Sequence, residues 1–173
     1  MAKHTKATSK GFTLVEILIV IMTVAVFGSI TTVMLANASK IYSSSLKKQK
    51  LVTEARSTFF KILREVSWQK SYSSFAGSDN KKLVIQPGDG NNIGYEIRQT
   101  NDIIQNNEQI SGANNKIITD KIDYSNSLIT YKNNNDNTID IASQINDIKS
   151  LELTLKFTQD NQSLLFHGRV IPY

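Results

Sequence analysis

The feature that most constrains this chain is the run from Phe12 to Ala38, in which Glu16 is the sole ionisable side chain. A helix of about 20 apolar residues, rising ~1.5 Å per residue, spans the ~30 Å hydrocarbon layer of a bilayer. The run therefore predicts a single membrane-crossing helix. Met1 to Lys10 is short and polar and carries Lys3, Lys6 and Lys10, the kind of charge that holds a segment's N-terminus on the cytoplasmic side. The rest of the chain is then expected outside the cytoplasm. A secretory signal peptide would have a core of about 7–15 residues followed by a small-residue cleavage site. Here the run is longer and the helical pattern continues beyond it, so cleavage on the far side is not expected.

Glu16 separates a plain anchor from something more specific. A carboxylate in hydrocarbon costs on the order of 3 kcal/mol or more and is kept where it has a partner. No Lys, Arg or His lies between Phe12 and Asn37, so no partner is expected from the chain's own apolar helix, and a cation from elsewhere is required. Gly28 reads as a small residue tolerated in a packed membrane helix.

Lys10-Gly11-Phe12-Thr13-Leu14-Val15-Glu16 followed by an apolar helix resembles the type IV prepilin signal, the class III signal peptide. That resemblance implies cleavage between Gly11 and Phe12 by an inner-membrane prepilin peptidase and N-methylation of the new Phe12 amine. It also implies an assembly role for Glu16 with Phe12. Glycine lets the backbone lie in a protease cleft without a side chain, and the cut creates the missing cation on Phe12. In a filament the Glu16 carboxylate of one subunit would meet the Phe12 ammonium of its neighbour, removing two unpaired charges from an apolar bundle. Residues 1–11 are then a cleaved leader. The net charge of +5 falls to about +2 without Lys3, Lys6 and Lys10, so bulk charge does not support nucleic acid as a partner.

Beyond Ala38 the apolar residues narrow to a stripe. Leu51/Val52, Ala55, Phe59, Ile62/Leu63 and Val66 recur at three- and four-residue intervals, while Lys47, Lys48, Lys50, Glu54, Arg56, Lys61, Arg64 and Glu65 occupy other faces. No proline precedes Pro87, so one helix from Phe12 to about Gln69, roughly 85 Å long, is permitted. Its halves are 12–38, for membrane and assembly, and 39–70, amphipathic, covering a sheet. Trp68 is expected to be packed near its end, and Lys47, Lys48 and Lys50 to form a solvated face.

Ser71 to Asp79 is rich in Ser and Gly and breaks the helical pattern. The period then becomes alternating. Strands are expected at Lys82–Gln86, Ile93–Thr100, Ile103–Gln105, Ile117–Tyr124, Ser127–Tyr131, Thr138–Ala142, Leu151–Thr158 and Ser163–Ile171. Residues 71–173 thus form one antiparallel β-rich head, and the fold class is α+β, a long N-terminal helix laid on an antiparallel sheet. The order of elements resembles the pilin fold. Leu128-Ile129-Thr130-Tyr131, a polar turn, Thr138-Ile139-Asp140, the strand from Leu151 and the closing Gly168-Arg169-Val170-Ile171 look like the J-type minor pseudopilins and related minor pilins. Major pilins differ in commonly carrying a helix proline and a C-terminal cysteine pair.

The resemblance implies a structural subunit of a type II secretion pseudopilus, a type IV pilus or a competence pseudopilus, with a place in the initiating tip complex. Its partners would be the prepilin peptidase, other pilins or pseudopilins, the inner-membrane assembly platform and the lipid bilayer. The alternative is a minor pilin whose head binds DNA, a surface or a secreted substrate, with Lys132, Arg169 and Tyr173 as candidates. With no cysteine there is neither a disulfide framework nor a thiolate nucleophile. Asn133-Asn134-Asn135-Asp136-Asn137 with Asp140 supplies oxygens, but the Gly and Glu of an EF-hand loop are missing, and a hairpin turn is the expectation. Gly88-Asp89-Gly90 lacks the ending of a phosphate loop. His4 falls in the leader, and His167 has no nucleophile or second His near it in sequence. Neither an enzyme nor a cofactor or metal site is expected.

Overall fold

The computed structural model describes residues 11–69, 75–88, 92–107 and 115–172. The chain divides into two compact units, Met1–Leu46 and Lys47–Tyr173. The architecture is α+β: among the described residues one long helix, α1 (Leu14–Ser67), precedes seven strands, a helical turn and a short 3-10 turn at Ile145–Asp147. Residues 1–10 of the leader, residues 71–74 of the expected break, Asp89-Gly90 of the expected turn, and Tyr173 lie outside the described residues.

The first unit holds the apolar part of α1, where every described side chain is exposed. The helix is continuous through Ala38. Its hydroxyls are satisfied locally: Thr23 donates to the Ile19 and Val20 carbonyls (3.0 and 2.9 Å), Ser29 to Val26, Thr31 to Phe27 and Thr32 to Gly28 (2.8 Å each). A polar group without such a partner would be costly in hydrocarbon. This helix is long and apolar enough to cross a membrane.

In the second unit the expected stripe is buried. Leu51, Ala55, Phe59, Ile62 and Val66 face inward, joined by Thr58. Strands β1 (Lys82–Ile85), β2 (Ile93–Arg98), β3 (Asp102–Asn107) and β4 (Lys116–Thr119) form one antiparallel sheet in sequence order. Strands β5 (Leu128–Lys132), β6 (Ser150–Gln159) and β7 (Gln162–Val170) form a second. The head therefore has two sheets where one was expected. The stretch expected as a single strand, Ile117–Tyr124, serves both. Its first part is β4. After Asp120, Thr158 N–H donates to the Lys121 carbonyl and Asp123 N–H to that of Lys156, both at 2.7 Å, continuing alongside β6.

Strict alternation in β6 buries Leu151, Leu153, Leu155 and Phe157 and leaves Glu152, Thr154, Lys156 and Thr158 half-buried. In β7, Leu164, Phe166, Gly168 and Val170 turn inward, and Phe166 meets both Phe59 and Phe157, with ring centroids 5.4 and 5.8 Å apart. The expected strand at Thr138–Ala142 is not formed. Thr138 makes an isolated bridge to Lys132, Ile139 N–H reaches the Tyr131 carbonyl at 3.0 Å, and the chain then enters a helical turn, α2 (Ile141–Gln144). Ile139 and Ile141 are both buried, so the alternation is real, but the arm after the turn at Asn133–Asn137 is too short to hold a ladder.

Both carboxylates of the amphipathic part of α1, expected on other faces, reach the sheets. Glu54 accepts from Thr119 Oγ1 at 2.8 Å and from the Lys121 ammonium. The buried Tyr95 hydroxyl donates to Glu65, and burial, then that bond, push its pKa well up. Trp68 departs from expectation: it is 66% exposed, with the Arg64 guanidinium 6.0 Å from its ring centroid.

Gly168 passes directly beneath α1. An added Cβ would lie 2.8 Å from Phe59 Cζ and 3.1 Å from Leu63 Cδ1, and the Phe59 ring is wedged in the core. Gly168→Ala should destabilise the head by about 1–3 kcal/mol, read as a lower thermal midpoint by circular dichroism. The Arg98 guanidinium and Thr100 hold the Asp102 carboxyl below the usual range, and Lys156 and Asn126 do so for Asp123. Groups with a depressed folded pKa stabilise above their unfolded value, about 4, and lose that contribution as pH falls through the folded one. The thermal midpoint should therefore fall as pH is lowered below about 4, and Asp102→Asn should flatten the decline.

Candidate functional site

The motif residues stand at the start of α1. Gly11 and Phe12 precede the first helical turn, and Phe12 is 81% exposed. A Cβ on Gly11 would meet nothing within 4 Å, so no contact among the described residues demands glycine there.

Glu16 has a partner within the chain, contrary to the expectation that its own helix offers none. Its Oε2 accepts from Thr13 N–H at 2.8 Å and Thr13 Oγ1–H at 3.0 Å, while Glu16 N–H donates to Thr13 Oγ1 at 3.3 Å. The first N–H groups of a helix lack intrahelical acceptors. With Thr13 as N-cap and Glu16 three positions on, the pair forms a capping box that satisfies two of them. The Thr-x-x-Glu spacing was visible in the sequence; attention to charge passed over it. Among the described residues no donor is placed on Oε1. The cap engages one oxygen and needs no net charge, because glutamine serves equally in such a box.

The head's candidate residues are occupied locally. Asn133 Oδ1 accepts from the Asn135 and Asn137 N–H groups at 3.0 Å, and Asp136 takes a left-handed φ of 63°, as expected of a turn. The Asp136 carboxylate pairs with Arg169 at 2.8 Å. Lys132 lies 3.7 Å from Glu152 and donates to the Asp136 carbonyl at 3.3 Å. Lys132 and Arg169 are thus brought together, but around an acidic residue and with intrachain partners; Tyr173 is not described. His167 Nδ1 shares a 2.9 Å hydrogen bond with Thr154 Oγ1. Lys47 meets Asp160 at 3.1 Å on an exposed surface. Among the described residues no group of three His, Cys, Asp or Glu is placed to hold a metal.

Two surfaces of the head escaped the sequence reading. One is the outer face of α1 around Phe60, Arg64 and Trp68. The other is a cleft of about 850 Å³ between residues 76–80, β5 and residues 138–145. Compared with protein-family models, curated proteins and solved structures, the chain has no significant match.

Proposed function

We propose that this chain is a type IV pilin-like prepilin. Its mature form would be a minor pilin or pseudopilin of the J type, a structural subunit of a type II secretion pseudopilus, type IV pilus or competence pseudopilus, placed in the initiating tip complex. The observation that carries this reading is the state of Glu16. It sits in the first turn of a helix exposed and apolar on all sides, and its cap explains an acceptor at that position but not a charge. A subunit whose new N-terminal amine must be neutralised supplies the reason: Oε1 remains for the Phe12 ammonium of a neighbour while Oε2 holds the helix start. Gly11, which meets no steric demand among the described residues, is accounted for by a peptidase cleft. The head would lie outside the inner membrane, and the subunit would work with the prepilin peptidase, other pilins and the assembly platform. The alternative, a head that binds DNA, a surface or a secreted substrate, gains nothing from Lys132 and Arg169, which are paired within the chain.

Intact-mass analysis of protein extracted from membranes should find a chain beginning at a methylated Phe12, and Gly11→Ala should slow or block that processing. A start at Met1 beside an active prepilin peptidase, or cleavage beyond Ala38, would overturn the proposal. Glu16 variants divide its two roles. Glu16→Gln keeps the cap acceptor and removes the charge, whereas Glu16→Ala removes both. Leaving one charge of a buried pair uncompensated typically costs roughly 3–5 kcal/mol, so both variants should insert in the membrane yet lose incorporation into filament or tip complexes to a similar extent. Crosslinking in the native membrane measures this. Wild-type incorporation of Glu16→Gln with failure of Glu16→Ala would reduce Glu16 to a helix cap.

A further inference from the structure

We propose that the free edge of β7 is a docking site for an extended segment of a different subunit of the tip complex, which adds to the second sheet as a further strand. The inference rests on the assembly reading above and adds the contact through which the head meets its neighbour.

The direction of each backbone group in β7 follows from β6. The two strands pair without a break from Leu151↔Val170 to Gln159↔Gln162. Lys156 and Thr158 use their backbone groups on the other side of β6, toward Asp123 and Lys121, at 2.7 Å each. The N–H and C=O of one strand residue point the same way, and the direction alternates along the strand. β6 therefore bonds β7 through Gln162, Leu164, Phe166, Gly168 and Val170, and the N–H and C=O groups of Ser163, Leu165, His167 and Arg169 face away from it. β7 ends its sheet, and among the described residues no partner is placed on any of these groups.

The other sheet edges are treated differently. On β1, Asp79 N–H donates to the Lys82 carbonyl, Asp79 Oδ1 accepts from Lys82 N–H, and Ser78 Oγ accepts from Val84 N–H, at 2.7 Å each. On β5, Ile129 N–H donates to the Asn80 carbonyl and Ile139 N–H to that of Tyr131, at 3.0 Å each. β4 is four residues long. Long regular edges invite pairing with another chain and are commonly blunted by a bulge, Lys, Pro or cover. β7 runs for nine residues in continuous register with neither Lys nor Pro. Its polar side chains lean back onto β6: His167 Nδ1 shares a 2.9 Å hydrogen bond with Thr154 Oγ1, and Arg169 Nε donates to Ser150 Oγ at 2.8 Å.

The inner face of β7 is short of cover as well. Leu151, Leu153, Leu155 and Phe157 of β6 are buried, whereas Leu164, Phe166 and Val170 of β7 are half-buried, although they pack on the same core. Leu63 of α1, beside Gly168, is half-buried too. A strand laid along β7 would bond the open backbone groups and cover these side chains with its own, which is how sheet edges take up extended peptides. The occupant is therefore an extended segment with apolar side chains at alternate positions. A minor subunit in a mixed complex meets such a segment in a different polypeptide.

The test is backbone amide exchange on the full-length protein, alone in detergent and in the complex purified from its native membrane, with the partners identified by mass spectrometry. The Leu165, His167 and Arg169 N–H groups should exchange quickly in the chain alone and at least about tenfold more slowly in the complex. The Leu164, Phe166 and Gly168 N–H groups, bonded to β6, should stay slow in both. Strand pairing produces that alternation, and packing against a face does not. Leu165→Pro removes one outward N–H and sets a ring on the edge without removing a bond to β6. Its head should remain folded by circular dichroism while yield of the complex falls about tenfold, whereas Leu165→Thr, which keeps the N–H, should retain it. Several results would each overturn the proposal: slow exchange of the outward amides in the chain alone, unchanged exchange in the complex, protection that comes from a second copy of this chain or from a protein that is not a membrane-anchored subunit, or wild-type incorporation of folded Leu165→Pro. Should Leu165→Pro not fold, the exchange pattern decides. The failures are distinguishable: a chain processed to Phe12 whose outward amides stay exposed in the complex refutes the strand addition only. A chain with protected amides that still begins at Met1, with prepilin peptidase active, refutes the prepilin reading only.

Discussion

The head depends on the seam between the inner stripe of α1 and the two sheets. Leu51, Ala55, Phe59, Ile62 and Val66 share one core with Tyr95, Ile97 and Ile103 of the first sheet and with Leu151, Leu153, Leu155 and Phe157 of the second. Neither sheet is large, and a three- or four-stranded sheet needs a covered apolar face to be stable. Phe59 sets how closely helix and β7 approach, which is why Gly168 has no room for a side chain. At the edges of this seam Glu54 and Glu65 are bonded to Lys121 and Tyr95, fixing the rotation of the helix as well as its distance. That choice leaves the outer face of α1 around Ser57, Phe60 and Arg64 without a carboxylate of the helix.

The apolar part of α1 poses the opposite problem. From Leu14 onward its side chains are exposed and largely apolar within their own unit, so their cover must come from a bilayer, from neighbouring helices, or from each in turn. The local hydroxyl-to-carbonyl bonds from Thr23 to Thr32 suit any of these, because they leave no donor searching for water. Glu16 alone does not fit a purely lipid surrounding, and the proposed assembly role takes its force from that mismatch.

The parts of this structure that were legible in the sequence are those fixed by a single period. The three- and four-residue spacing from Leu51 to Val66 and the two-residue spacing from Leu151 to Phe157 each identify a buried face without knowledge of what covers it. What was not legible depended on contacts distant in sequence. Nothing in Ile117–Tyr124 tells that its two ends pair with different sheets, and Ile139 and Ile141 alternate as a strand would although the arm holding them is too short for a ladder. Trp68 was expected to be packed near the helix end. The stripe in fact ends at Val66, and Trp68, two residues on, is turned about 200° around the helix, the wrong increment to join that face. The cleft beside β5 is built from three segments and could not be read from any one.

At the start of α1 a local reading and a long-range reading fall on the same residue. Thr13-Leu14-Val15-Glu16 is a complete helix-start signal on local grounds, and a search for capping boxes alone would stop there. A search for charges in apolar runs would fix on Glu16 alone and predict that it lacks any partner in the chain. The geometry gives the cap one carboxylate oxygen: Oε2 accepts both Thr13 donors, and these bonds restrict the side chain at the very start of the helix. An acid fixed in that way loses little further side-chain freedom when a cation approaches its second oxygen, and pre-ordered groups bind at lower entropic cost. Capping is then not a rival to the proposed pairing with Phe12 but the local structure that makes Glu16 an efficient partner.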